Sequence, residues 1–298
     1  MKLVTYGPPG GELPGVVEEG GSVVALAPAL SRAGIRILDM GQLLAVWSAV
    51  RPVVELAVED PQSERIPADS VRLGPPVPRP GKILAIGLNY PTHTGDSLGA
   101  TTSESQPVVF MKTPNSLSGP SDTVILPRQS TQVDYELELA VVIGKAGSHI
   151  ARADAFDHVA GYMISNDVSA RDVAFGPGLE YPMQLQIVRG KGFPTFCPTG
   201  PWLVTADEVP EPGRLKLQLW VNDELRQDGN TSEMSVDIPG LIESISSSMP
   251  LLPGDIVLTG TPAGCGFLFD PPRYLADGDM VKAAVPGLGE MAFEVRDE

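Results

Sequence analysis

Two glutamates one residue apart, Glu136 and Glu138, open an otherwise apolar run, Asp134-Tyr135-Glu136-Leu137-Glu138-Leu139-Ala140-Val141-Val142-Ile143-Gly144. Alternate side chains of a strand point the same way, so the two carboxylates share one face, while Leu137, Leu139 and Val141 share the other. After Ala140 both faces are apolar, which carries the strand into a core. Carboxylates side by side at the mouth of a core repel each other unless something compensates. A hard divalent cation is the simplest compensation, and oxygen ligands suit Mg2+ or Mn2+. A solvated strand face is the ordinary explanation for Glu-x-Glu by itself, so more is needed. Asn166-Asp167-Val168-Ser169-Ala170-Arg171-Asp172 closes another apolar strand at 161–164. A polar cluster at a strand end can supply a third ligand, Asp167, although an aspartate there is equally suited to a helix N-cap or a turn.

A second pattern competes. Gly95-Asp96-Ser97-Leu98-Gly99 spells Gly-x-Ser-x-Gly. A nucleophile elbow needs a strand before it and a helix after it. Thr92-His93-Thr94 and Ala100-Thr101-Thr102-Ser103 supply neither, so a serine hydrolase built on Ser97 is the weaker reading. No phosphate loop, dinucleotide fingerprint or zinc helix motif is present.

The elements that must position these groups are mostly strands. Gly (32) and Pro (30) are abundant enough to predict a chain rich in turns. Short apolar runs at 2–6, 15–18 and 22–26 read as strands, and 42–47 and 53–58 as short helices. The first 74 residues thus predict a small α+β unit. Pro75-Pro76-Val77-Pro78-Arg79-Pro80-Gly81 follows as a stiff, extended linker. Beyond it, residues 82–298 predict a large, mainly β domain. Its strands lie near 82–87, 108–112, 136–143, 161–168, 215–221, 255–259 and 280–285, with a last one after Pro286-Gly287-Leu288-Gly289. Residues 148–158 predict a short helix. Asp237 predicts the cap of another, with Pro239 in its first turn and Leu241, Ile242, Ile245 and Met249 on one face.

The formal net charge of −16 discounts nucleic acid and anionic membrane as partners. Cys197 and Cys265 make no CxxC pair and no disulfide framework, which favours a reducing compartment. With no apolar signal region or membrane-length stretch, the expectation is a cytoplasmic protein.

Taken in order, the blocks resemble the fumarylacetoacetate hydrolase family over residues 80 to 295. Ile86-Gly87-Leu88-Asn89-Tyr90 leads to His93, and Phe110-Met111-Lys112-Thr113-Pro114 precedes the carboxylate run. The Asn166–Asp172 block is followed by Gly190-Lys191-Gly192-Phe193 and Pro198-Thr199-Gly200-Pro201-Trp202. Pro253-Gly254-Asp255 and Thr259-Gly260-Thr261-Pro262-Ala263-Gly264-Cys265-Gly266 end the set. The resemblance implies an irregular β-roll of mixed sheets (α+β overall), a homodimer, and Mg2+ or Mn2+ held by Glu136, Glu138 and Asp167, with Ca2+ also compatible. It implies cleavage or rearrangement of C–C bonds next to 1,3-dicarbonyl or 2-oxo acid groups. By the same resemblance Lys191 faces the substrate oxyanion, Thr261 contacts its carboxylate, and His93 helps activate water.

For Arg171 the expectation is either a substrate carboxylate or, preferably, pairing with Asp167 or Asp172. Lys112 and Tyr135 are further pocket candidates. His149 and His158 carry no motif and read as structural. Three departures stand out. The family's usual glutamate three residues after the histidine is Asp96, one methylene shorter. Residues 175–189 form a long approach to Lys191, rich in Gly, Pro and Met. Cys265 occupies a position where a small aliphatic residue is common, and reads as a small buried hydrophobe. The reading is therefore a metal-dependent hydrolase of acylpyruvate-like or diketo acids. A 2-oxo acid decarboxylase or dienoate isomerase is the alternative, and a non-catalytic oxo-acid-binding protein comes after it.

Overall fold

A computed structural model describes residues 1–37, 39–91, 106–176 and 185–298 of the 298-residue chain. His93, Asp96 and Ser97 lie outside the described residues. The architecture is mainly β with few helices, in mixed sheets.

The seven residues Leu137–Ile143 are all buried, and they form a central strand of a twelve-stranded sheet. They lie between the antiparallel partners Val159–Asn166 and Ile256–Leu258. Ile256–Leu258 runs parallel to Ile83–Gly87, whose outer neighbour Val108–Lys112 ends the sheet. Strands this apolar need cover on both faces, and the alternation shows what supplies it. Ala140 and Val142 pack with Ile83, Ala85 and Ile256 against Leu26, Leu43 and Val54 of the N-terminal helices. Leu139 and Val141 pack instead with Tyr162, Leu217, Val281 and Phe293. Those last three belong to a five-stranded sheet built from Lys216–Val221, Glu224–Asn230, Met280–Val285, Gly289–Asp297 and Val124–Leu126.

The N-terminal segment joins the same large sheet, because Lys2–Tyr6 pairs antiparallel with Cys197–Thr205. The proline run bends at residues 76–79 instead of running straight, and it is packed in, with Pro75, Pro76, Val77 and Pro80 buried. The helix at the residues after Asp237 forms as Ile238–Ser248, and the Asp237 side chain accepts from the Gly240 N–H at 3.0 Å. Among the described residues the N-terminal segment carries three helices, Leu26–Arg32, Met40–Ala45 and Trp47–Glu59; the first has no counterpart among the predicted helices, and the last is longer than the run at 53–58 that predicts it. Residues 152–158 form a 3-10 helix. Among the described residues no helix is long and apolar enough to cross a membrane.

Candidate metal centre and substrate cavity

Strand register builds the centre. Leu137 pairs with Asn166, so the next residue of each strand end, Glu136 and Asp167, meet across the gap. The Asp167 N–H donates to the Glu136 carbonyl at 2.8 Å. Glu136 falls just before the strand, yet its side chain stays on the Glu138 side, as alternation requires. Glu136, Glu138 and Asp167 each offer a carboxylate oxygen within 4.8 Å of the others, and all three are buried. The third strand end adds a donor. Thr259 is tied to the Leu139 carbonyl, which brings the Gly260 N–H to 2.6 Å from Glu138 Oε2. Gly260 has φ +95°, and a Cβ there would stand 2.9 Å from that of Asn89. Only glycine suits such a left-handed, crowded position.

Three cations surround the carboxylates. Lys191 ends the short helix Ile187–Lys191, and its Nζ lies 2.7 Å from Glu136 Oε2 and 2.5 Å from Asp167 Oδ2. Burial opposes its charge, but Asp167 and Glu136 outweigh burial and raise its pKa above the ordinary lysine value. Lys112, fully buried at the end of Val108–Lys112, donates to Asp167 Oδ1 at 2.6 Å and to the carbonyls of Val168 and Lys191. Arg171 donates to Asp134 Oδ2 from two nitrogens and reaches Glu136 Oε1 at 2.6 Å. The pairing expected with Asp167 or Asp172 is therefore replaced by Asp134 and Glu136. Asp172 is occupied by Ser130 and Thr131 instead. Burial pushes the Asp172 carboxyl up, but those hydrogen bonds prevail and hold it below the usual aspartate range.

Glu138 is different. It is buried, takes the Gly260 N–H, and has no cation in salt-bridge range among the described residues. Burial first, then Asp167 and Glu136, push its carboxyl well above the ordinary value. A site with a buried carboxylate that lacks a cation in salt-bridge range, and with an all-oxygen donor set, fits a hard divalent cation.

A cavity of about 890 Å3 opens onto this centre. Glu136, Glu138, Arg171, Lys191 and Thr261 line it, together with an apolar wall that includes Leu88, Val108, Phe110, Phe175, Leu185, Ile187 and Phe267. Thr261 Oγ1 accepts from Gln227 Nε2 at 2.8 Å. A hydroxyl that accepts there still has its own proton to donate. Of the residues singled out from the sequence, the structure gathers Glu136, Glu138, Asp167, Lys191, Arg171 and Thr261. Lys112 sits behind the wall, where it orients Asp167. Tyr135 points the other way along the alternation, into the core, and its hydroxyl donates to the Gly264 carbonyl. Cys265 is buried, as a small hydrophobe would be, and burial raises its thiol well above the ordinary value.

Three supporting residues escaped the sequence reading. Asp134 accepts from Arg171, Tyr135, Gly266 and Phe267, fixing the guanidinium and the glycine turn at once. Its signal was available: Asp134, Glu136 and Glu138 alternate as three acids on one side. Gln227 accepts from the Leu137 N–H and donates to Thr261 and the Pro262 carbonyl. Asn166 Oδ1 takes the Glu136 N–H.

Residues 82–296 match the model of the fumarylacetoacetate hydrolase C-terminal domain. The chain is 40% identical to the mitochondrial oxaloacetate tautomerase FAHD2B of Bos taurus, over 93% of this chain and 84% of that one. It superimposes with a TM-score of 0.81 on a Mycobacterium abscessus crystal structure named a "probable 2-hydroxyhepta-2,4-diene-1,7-dioate isomerase", at 45% identity over 100% and 99% of the two chains. It also superimposes with a TM-score of 0.80 on maleylpyruvate hydrolase from Sphingobium sp. SYK-6 in complex with manganese(II) and pyruvate, at 35% identity over 100% and 99% of the chains. The matched domain, the ordered motifs and these full-length likenesses place the chain in the fumarylacetoacetate hydrolase family.

Proposed function

We propose that this chain is a divalent-metal-dependent hydrolase that cleaves a C–C bond in an acylpyruvate-like or diketo acid. One observation carries the reading: the buried carboxylate triad, with Glu138 short of a cation, faces a cavity that also presents Lys191, Arg171 and Thr261. Glu136, Glu138 and Asp167 would hold Mg2+ or Mn2+. When bound, such an ion supplies Lewis acidity toward the neighbouring oxygens of a 2-oxo acid. Lys191, fixed by two carboxylates, keeps a full positive charge where the substrate enol oxygen gains negative charge. Thr261, oriented by Gln227, donates to the substrate carboxylate. Arg171 is held by Asp134 and Glu136, so its main work is to fix Glu136 in place. His93 and Asp96 are assigned the proton transfers that deliver water to the scissile carbonyl.

A second reading keeps the same site and omits the water: tautomerisation or isomerisation of a 2-oxo acid or dienoate. It is favoured by the shortened Asp96 and by the activities named for the bovine and mycobacterial relatives. Both readings predict loss of activity on chelation and recovery when Mg2+ or Mn2+ is returned. Activity on a panel of acylpyruvates and oxaloacetate that survives chelation would overturn both. Products formed in isotopically labelled water separate the two, since hydrolysis alone places the labelled oxygen in a product carboxylate.

A further inference from the structure

The charges around the cavity are lopsided beyond the reacting end. Its wall carries three acids, Glu136, Glu138 and Asp172, and two bases, Arg171 and Lys191. Both bases are already committed to carboxylates of the centre. With Asp134, Asp167 and Lys112 behind the wall, five carboxylates face three cations. A divalent ion brings that set to neutrality, so every negative charge a substrate adds must find its own partner. A 2-oxo acid carboxylate would have the ion and the Thr261 hydroxyl beside it. A second carboxylate at the far end meets nothing basic among the described residues of the wall. The other polar groups of the wall, Gln132 and Tyr274, are neutral. Arg189 is exposed and does not line the cavity. Residues 92–105 and 177–184 contain no lysine or arginine, and their one histidine, His93, is assigned to proton transfer. Asp172, anchored by Ser130 and Thr131, adds a fixed negative charge.

The remainder of the wall is largely apolar, and part of it is exposed among the described residues. Val108, Phe175 and Leu185 are 50%, 49% and 43% exposed. Apolar side chains that line a cavity and stay wet gain free energy when an apolar group covers them, about 25 cal/mol per Å2. A carboxylate buried against the same wall unpaired would be penalised instead.

We infer that this cavity selects 2-oxo acids whose far end is an uncharged apolar chain, over dicarboxylates of the same length. The inference rests on the 2-oxo acid reading of the site given above, and it sets this chain apart from relatives named for dioate or maleyl substrates.

Calorimetric titration of the Mn2+-supplemented protein with pyruvate, 2-oxohexanoate and 2-oxohexanedioate tests it without requiring turnover. The expected result is that 2-oxohexanoate binds more tightly than pyruvate, and about tenfold or more tightly than the dioate, a margin of the size that one unpaired charge at a cavity wall commands. Equal or tighter binding of the dioate, with pyruvate still bound, overturns the selectivity and leaves the 2-oxo acid reading standing. Failure of all three to bind removes that reading, and the selectivity falls with it. Leu185→Lys places an ammonium on an exposed stretch of the same wall, where folding is not at stake. It should shift the ratio of affinities toward the dioate, and a ratio that does not move counts against the assignment of this wall to the substrate's far end.

Discussion

Replacing Lys191 by methionine separates the electrostatic account of the centre from a purely packing one. The Lys191 ammonium sits 2.7 Å from a Glu136 oxygen and 2.5 Å from an Asp167 oxygen, and all three side chains are buried. At an effective dielectric of about 20, opposite charges this close attract by roughly 6 kcal/mol per pair. Desolvation of the three groups takes back several kcal/mol, so the net contribution is far smaller than the attraction. Removing the cation leaves the carboxylates buried and unmatched, for which about 3–5 kcal/mol is the usual loss. Methionine keeps the length and apolar volume of the lysine stem, so the cavity term is small. The metal-free variant should therefore lose about 3–5 kcal/mol in denaturant unfolding. Mn2+ should then stabilise the variant more than the native protein, because it supplies the charge that the lysine no longer does. The native protein gains about 2.7 kcal/mol when the ion is at a hundred times its Kd, and the variant should exceed its native counterpart at the same Mn2+ concentration. Turnover should be lost in both metal states. A variant whose stability drops equally with and without Mn2+ would refute the view that Lys191 and the metal compensate the same carboxylates.

Other perturbations address the supporting groups. Gln227→Leu strands the Leu137 N–H and releases Thr261, which should cost about 1–3 kcal/mol in unfolding and raise KM more than it lowers kcat; an unchanged KM would mean that Thr261 needs no orientation. Asp172 has a folded pKa below its unfolded value, so its stabilisation is present above about pH 3.9 and fades as the pH falls through the folded pKa. The stability difference between native protein and Asp172→Asn should thus shrink as pH is lowered through that range, and a difference that stays constant there contradicts the hydrogen-bonding account. Ser97→Ala should retain full activity with its metal requirement intact, and complete loss of activity with metal binding preserved would reinstate the serine-hydrolase alternative.

What could be read from the chain follows from the range of each physical rule. Strand alternation is local, so it puts Glu136 and Glu138 on one side from three consecutive letters. Asp167 needed one further fact, the register of Leu137 against Asn166, which the sequence does not state and the ordered family blocks supplied. Lys112 and Tyr135 read as pocket residues because they lie within the motif blocks, but a place in a block does not choose a face. Tyr135 is one residue from Glu136 and for that reason points away from it. Arg171 took Asp134, 37 residues earlier, over Asp172 beside it. Its helix, Arg171–Ala174, presents position 171 to the strand end while Asp172 turns toward Ser130 and Thr131. Gln227 was the hardest to find. Its strand, Glu224–Asn230, alternates exposed and buried positions with glutamine as one of the buried ones, and a polar residue in such a strand reads as surface until its partners are known. The carboxylate triad was legible because several acids cannot crowd together cheaply. The neutral groups that aim them carry no such penalty and leave no comparable mark, so at this site the structure adds most where the chemistry is least charged.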